Sequence, residues 1–180
     1  MNVVVGLDPG LENTGYGVVG FRLRGVGPGR QLVCVEFDHG VIKTRPTVSL
    51  ERRLLQIQLA IREVLWGHKV ILVAIEEYFA TRFQKQAASV FRAQAVALAA
   101  CAMAEAKVVM VNPTHVKTCL TKKGDASKGE VQKAIKSLFA FEEVPMSEHE
   151  VDALAIAVTA LRDLDQESRA TLLAEVEAEA

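Results

Sequence analysis

The stretch Lys69–Ile75, KVILVAI, is almost continuously apolar and rich in β-branched residues, and it stops abruptly at Glu76-Glu77. A run of that length and composition reads as a strand buried on both faces, which calls for helices on each side of its sheet. The opening VVVGL has the same character and also ends in a carboxylate, Asp8, after which Pro9-Gly10 turn the chain away. Two acids therefore terminate two predicted core strands. A carboxylate at such a place is costly unless it is paired, hydrogen-bonded or bound to a cation.

The rest of the chain supplies the covering layers. Residues 2–8 and 14–22 read as a hairpin, broken by a Gly- and Arg-bearing stretch from Arg24 to Arg30. QLVCVEF and GVIKT then read as two further strands, making four early ones. From Ser49 to about Gly67, Leu50, Leu54, Ile57, Ile61, Val64 and Leu65 recur at helical spacing with Arg and Glu between them. Residues 83–106 are Ala-rich and helix-compatible, and the strand KVVMV precedes Asn112-Pro113, a cap and first turn for a short helix carrying Lys117. Ser127 with Glu130, and Ser147 with Glu150, each form a capping box that opens a helix. The fold class expected is α/β, a mixed sheet flanked by helices.

With 180 residues, half of them hydrophobic and 24% charged, the chain suits one domain. It shows no signal peptide and no clean membrane span, so no membrane partner and a cytoplasmic location are expected. Cys34, Cys101 and Cys119 are widely spaced and expected to be buried, unreactive thiols. The net charge of −1 hides an asymmetry: residues 163–180 carry six acids against Arg169, a balance of −5 that leaves the body at +4. The domain is expected over residues 1–162, with 163–180 a flexible acidic tail.

The candidate chemistry lies in Asp8, Glu76, His149 and Asp152. Taken singly, Asp8 is more often a turn initiator and Glu76 an ordinary surface acid, with Glu76 rather than Glu77 read as inward. His149 and Asp152 stand three apart on a helix opened by Ser147 and share a face, as an exposed ion pair or as metal ligands. Of the four, Asp8, Glu76 and Asp152 supply the oxygen-ligand set preferred by Mg²⁺, with Mn²⁺ able to substitute. In phosphodiester cleavage two such ions about 3.5–4 Å apart activate water and stabilise the leaving oxygen. The segment 117–136 carries Lys117, Lys122, Lys123, Lys128, Lys133 and Lys136 against Asp125 and Glu130, and Arg82 and Lys85 add charge near Glu76. Such a segment is a solvated surface or a phosphate-binding one. A ring at Phe79 either stacks on an unpaired base or packs under its loop.

The motifs GLDPGLENTGYGVV, AIEEYF, HVKTCL with SKGEVQ, and HEVDALAIA occur in that order, and together they resemble the RuvC family of crossover junction endodeoxyribonucleases across residues 1–162. The resemblance implies a ribonuclease-H-like fold with a mixed five-stranded sheet. It further implies a homodimer and Mg²⁺-dependent symmetrical nicking of opposed strands in Holliday junctions during recombination and repair. Cooperation with the RuvA–RuvB branch-migration complex follows from the same resemblance. On matching positions Asp8, Glu76, His149 and Asp152 are the implied metal-binding catalytic residues. Phe79 is the implied junction contact, Lys117 and Lys128 are implied DNA-contacting lysines, and Lys128 also serves developing phosphate charge. Many relatives carry Asp where this chain has His149, and a neutral imidazole is a competent ligand in its place. Two rival readings are a junction-binding protein without cleavage, separated by metal-dependent nicking, and an actin-like ATPase, for which the chain is too short.

Overall fold

The computed structural model describes residues 2–24, 31–78, 87–141 and 144–165, together with 168, 170 and 174. Along these run β1 (Asn2–Asp8), β2 (Asn13–Arg24), β3 (Gln31–Lys43), α1 (Leu50–Trp66), β4 (Lys69–Glu76), α2 (Ala87–Met103), β5 (Val108–Val111), α3 (Pro113–Thr121), α4 (Lys128–Phe139) and α5 (Glu148–Arg162). The five strands form one mixed sheet in the order β3-β2-β1-β4-β5. β2 is antiparallel to both of its neighbours, whereas β4 runs parallel to β1 and to β5.

QLVCVEF and GVIKT are one strand, not two, so there are three early strands rather than four. The apolar pattern breaks at Phe37-Asp38 because β3 bulges there: Val18 pairs with Asp38 and Val19 with Glu36, leaving Phe37 as the extra residue. The Ala-rich helix ends at Met103, short of residue 106, where Glu105 turns left-handed at φ 52°. Residues 83–86 of that expected helix lie outside the described residues. Arg53 shares the buried stripe of α1 with Ile57, Ile61 and Leu65. Among the cysteines only Cys101 is buried, while Cys34 and Cys119 are half-buried. Burial pushes the Cys34 and Cys101 thiols up to about 11, which keeps them protonated and unreactive at neutral pH.

Strand alternation sorts the core into two layers. Val3, Val5 and Leu7 of β1 and Val73 and Ile75 of β4 face α1 and α2, in a cluster with Ile57, Ile61, Ala97 and Ala100. Val4, Leu72 and Ala74 face the other way, onto Leu154, Ala157 and Val158 of α5. Asp8 and Glu76 share the parity of Val4 and Ala74, so each continues the face that α5 covers. In the parallel register Leu7 pairs with Ile75, which sets the two acids side by side one step later.

α5 is the helix around which the protein closes, buried continuously from Ala153 to Leu161. It approaches the sheet closely because Gly6 and Gly15 face it. A Cβ on Gly6 would stand 2.1 Å from the Ala153 carbonyl oxygen, and one on Gly15 would stand 2.0 Å from that of His149. Both obstacles are backbone, so neither can yield without moving the helix. Gly15→Ala is expected to push the start of α5 off β2 and to destabilise the protein by about 1–3 kcal/mol, lowering Tm by about 2–4 °C for each kcal/mol. An unchanged Tm in thermal denaturation would contradict this packing.

Candidate active site

Three elements deliver the acidic side chains. Asp8 ends β1, Glu76 ends β4, and His149 and Asp152 lie in the first turns of α5. The start of α5 is fixed by its capping box, in which the Ser147 amide donates to the Glu150 carboxylate at 2.7 Å and the Glu150 amide donates to Ser147 Oγ at 3.3 Å. The positive end of the helix dipole therefore points toward this group of acids.

His149 Nδ1 lies 2.7 Å from Asp8 Oδ2, with side chains 40% and 18% exposed. The hydrogen bond to the Asp8 carboxylate raises the proton affinity of His149 above its ordinary value; burial opposes this, and the charges of Asp8 and Asp152 add to it. Glu76 behaves differently. Burial, then repulsion from Asp8 and Asp152, push its carboxyl up to about 7, against the pull of Lys128 and Lys117. Asp152 is also raised, first by burial, with Lys128 opposing and Asp8 reinforcing the shift. Lys128 Nζ sits 3.5 Å from Asp152 and 3.4 Å from Glu148, and Asp152 is the main cause of its own raised proton affinity.

These shifts bear directly on whether a divalent cation fits. Among the described residues, no three His, Cys, Asp or Glu side chains already enclose one ion-sized point. Asp8 is turned to His149 and Asp152 to Lys128, so each of these carboxylates already has a partner among the protein's own side chains. The donor set nonetheless suits such an ion. Burial, reinforced by repulsion from Asp8 and Asp152, pushes the Glu76 carboxyl up to about 7, and a hard divalent cation would relieve that repulsion through oxygen ligands.

A cleft of about 530 Å³ joins Asp8, Glu76 and His149, with Arg53, Tyr78 and Gln94 in its wall. A larger one, of about 670 Å³, is lined by Leu72, Met110 and His115 and holds none of the four site groups, so size is a poor guide to the chemistry here. Lys117 and Lys128 lie close enough to act on Glu76. Lys122 and Lys123 are exposed on the turn between α3 and α4, where Lys123 Nζ pairs with Glu130 at 3.0 Å. Phe79, Arg82 and Lys85 lie outside the described residues. The cleft also holds two groups that the sequence reading passed over. Gln94 Nε2 donates to the Glu76 carbonyl at 3.0 Å, and Arg53 is the buried cation of α1. The available signal for Arg53 was its place four residues before Ile57 on the buried stripe; Gln94 gave none.

Comparison with known proteins places this architecture. The family model described as crossover junction endodeoxyribonuclease RuvC matches residues 4–160. A protein of that description from Treponema denticola is 33% identical over 87% of this chain and 83% of its own length. The structure of Thermus thermophilus RuvC superposes with a TM-score of 0.75 at 34% identity, covering 87% of this chain and 92% of that one. A second structure, T. thermophilus RuvC in complex with Holliday junction substrate, gives the same TM-score at 32% identity over 87% and 91% of the two chains. The yeast mitochondrial Holliday junction resolvase Ydc2 shares the fold alone, with a TM-score of 0.60 at 10% identity over 88% of this chain and 78% of that one. The α/β fold is ribonuclease-H-like, and the chain belongs to the RuvC family of crossover junction endodeoxyribonucleases.

Proposed function

We propose that the chain resolves four-way DNA junctions by hydrolysing phosphodiesters in two opposed strands, during recombination and repair. The observation that carries this reading is the convergence of Asp8, Glu76 and Asp152 from three elements, where burial and then their mutual repulsion raise Glu76 to about 7. These acids, with His149 beside them, would hold Mg²⁺ or Mn²⁺, two ions per site. Held there, such ions would supply the means to lower the pKa of an attacking water and to stabilise the leaving oxygen.

The chain's own side chains orient the site and carry charge. His149 Nδ1, paired with Asp8 Oδ2, fixes the direction of that carboxylate. Lys128 sets an ammonium against Asp152 that an incoming phosphate can share. Lys117, Lys122, Lys123 and Lys128 would contact DNA phosphates, which positions a substrate without reading its sequence. Lys123 would first have to leave Glu130. Phe79, Arg82 and Lys85 complete the proposed DNA-contacting set.

A homodimer suits the task, because two-fold symmetry offers two equivalent sites to two equivalent strands. Phe91 and Leu98, exposed seven residues apart on α2, supply apolar surface for such an interface. Action alongside a RuvA–RuvB complex rests on family membership. A cytoplasmic location is consistent with three free thiols, and no described helix is long and apolar enough to cross a membrane. Residues 163–180 are proposed as an acidic tail outside the 1–162 nuclease domain.

Two outcomes are expected. With Mg²⁺ or Mn²⁺ the chain should make paired nicks in a labelled mobile junction and none in a matched linear duplex, and Asp8→Asn should slow this by about 100-fold or more, the scale lost with one preorganised electrostatic group. Tight junction binding without nicks would contradict the nuclease reading, and equal cutting by Asp8→Asn would contradict the site. Separately, NMR titration of metal-free protein should place the His149 pKa above 6.5 and return it toward that value in Asp8→Asn. Because the folded value is raised, the stability this pair gives is fully present below pH 6.5 and is lost as pH rises through the folded pKa.

A further inference from the structure

The turn from Pro9 to Glu12 carries Asp8 back into β2, and its carbonyls are held one after another. Thr14, fully buried, donates through Oγ1 to the Gly10 carbonyl at 2.7 Å. The Leu11 carbonyl accepts from Thr44 Oγ1 at 2.5 Å and from Arg53 Nη2 at 3.3 Å. The Thr44 amide donates to the Glu12 carbonyl at 2.9 Å. Arg53 Nε also donates to Thr44 Oγ1 at 2.8 Å. A hydroxyl has one proton, so a Thr44 oxygen that accepts from Arg53 directs that proton to Leu11.

Arg53 is 8% exposed and Thr44 7%. A guanidinium remains charged at any working pH, and burying it is costly unless its donors are used. Among the described residues no carboxylate forms an ion pair with Arg53, and its bonds go to the turn and to Thr44. It stands in the same cleft wall as Asp8, Glu76 and His149. A residue needed only to fill α1's apolar stripe would be aliphatic, like the three that follow it at Ile57, Ile61 and Leu65.

We infer that Arg53 is a positioning residue for the reaction: acting with Thr44, it locks the Pro9–Glu12 turn and thereby sets where the Asp8 carboxylate stands. The inference rests on the nuclease reading of the site. Its chemistry is specific to a planar fork with donors at two fixed angles, which a lysine ammonium cannot reproduce.

The test compares the native chain with Arg53→Lys, Thr44→Val and Thr44→Ser. Single-turnover cleavage of the mobile junction with Mg²⁺, junction affinity in EDTA, and amide hydrogen exchange of metal-free protein are measured on each. Arg53→Lys and Thr44→Val should cut about 10- to 100-fold more slowly, as small misplacements of catalytic groups do, with junction Kd within about 2-fold of native, a change under 1 kcal/mol. Exchange at the amide of residue 44 should accelerate while β4 amides stay as protected as in the native chain. Thr44→Ser should regain most of the rate lost in Thr44→Val, and the Arg53→Lys/Thr44→Val double variant should be no slower than the slower single, as expected for one shared network. Thr44→Val keeps the side chain's shape, so its rate decides the matter should Arg53→Lys fail to fold. Variants that cut at the native rate, or that lose rate, affinity and β4 protection in parallel, would overturn the positioning role. A native chain that cuts no junction would overturn the nuclease reading itself, a different result from an active native chain with unimpaired variants.

Discussion

The close approach of α5 to β1 and β2 is the constraint on which the rest depends. At Gly6 and Gly15 the backbone of the helix meets the sheet with no side chain between them. That contact buries the length of α5, supplies one of the two core layers, and brings His149 to within 2.7 Å of an aspartate 141 residues away in the chain. A thicker residue at either glycine would separate the layers and the two halves of the site together. Stability and site geometry are thus consequences of one packing arrangement.

The second determinant is parity. Because side chains alternate across a strand, the residues that place Val4 and Ala74 under α5 also place Asp8 and Glu76 at the edge of that same face. The parallel pairing of β1 and β4 then brings the acids level. α5 contributes Asp152 and His149 from its N-terminal turns, where the helix dipole favours negative charge. The arrangement is costly, since burial, and then the charges of Asp8 and Asp152, drive Glu76 toward neutrality. Concentrated like charge of this kind is common where a protein gives up stability for chemistry.

Much of this was legible in the sequence because local rules carried it. Two apolar runs cut off by acids announced Asp8 and Glu76, and the Ser147 capping box located His149 and Asp152 on the first turns of a helix. The bulge that keeps β3 whole was not legible, since Asp38-His39-Gly40 looks like a turn until the partner strand is present to pair with it. Arg53 was passed over for a related reason: only the turn after Asp8, 42 residues earlier in the chain, explains why an arginine is buried there. The pairing of His149 with Asp8 rather than with Asp152 likewise depended on tertiary contact, not spacing.

The central claim is that Asp8, Glu76 and Asp152 form one repulsive group that a divalent cation relieves. Thermal unfolding of the native chain, Asp8→Asn and Glu76→Gln, each with EDTA and with Mn²⁺, tests it most directly. The native chain should be stabilised by Mn²⁺, as any ligand that binds only the folded state stabilises it. In EDTA, Glu76→Gln should be at least as stable as native, because it removes a buried carboxyl repelled by its neighbours, and both variants should lose most of the response to Mn²⁺. A native-sized Mn²⁺ response in both variants, or a Glu76→Gln protein clearly less stable than native in EDTA, would contradict the account.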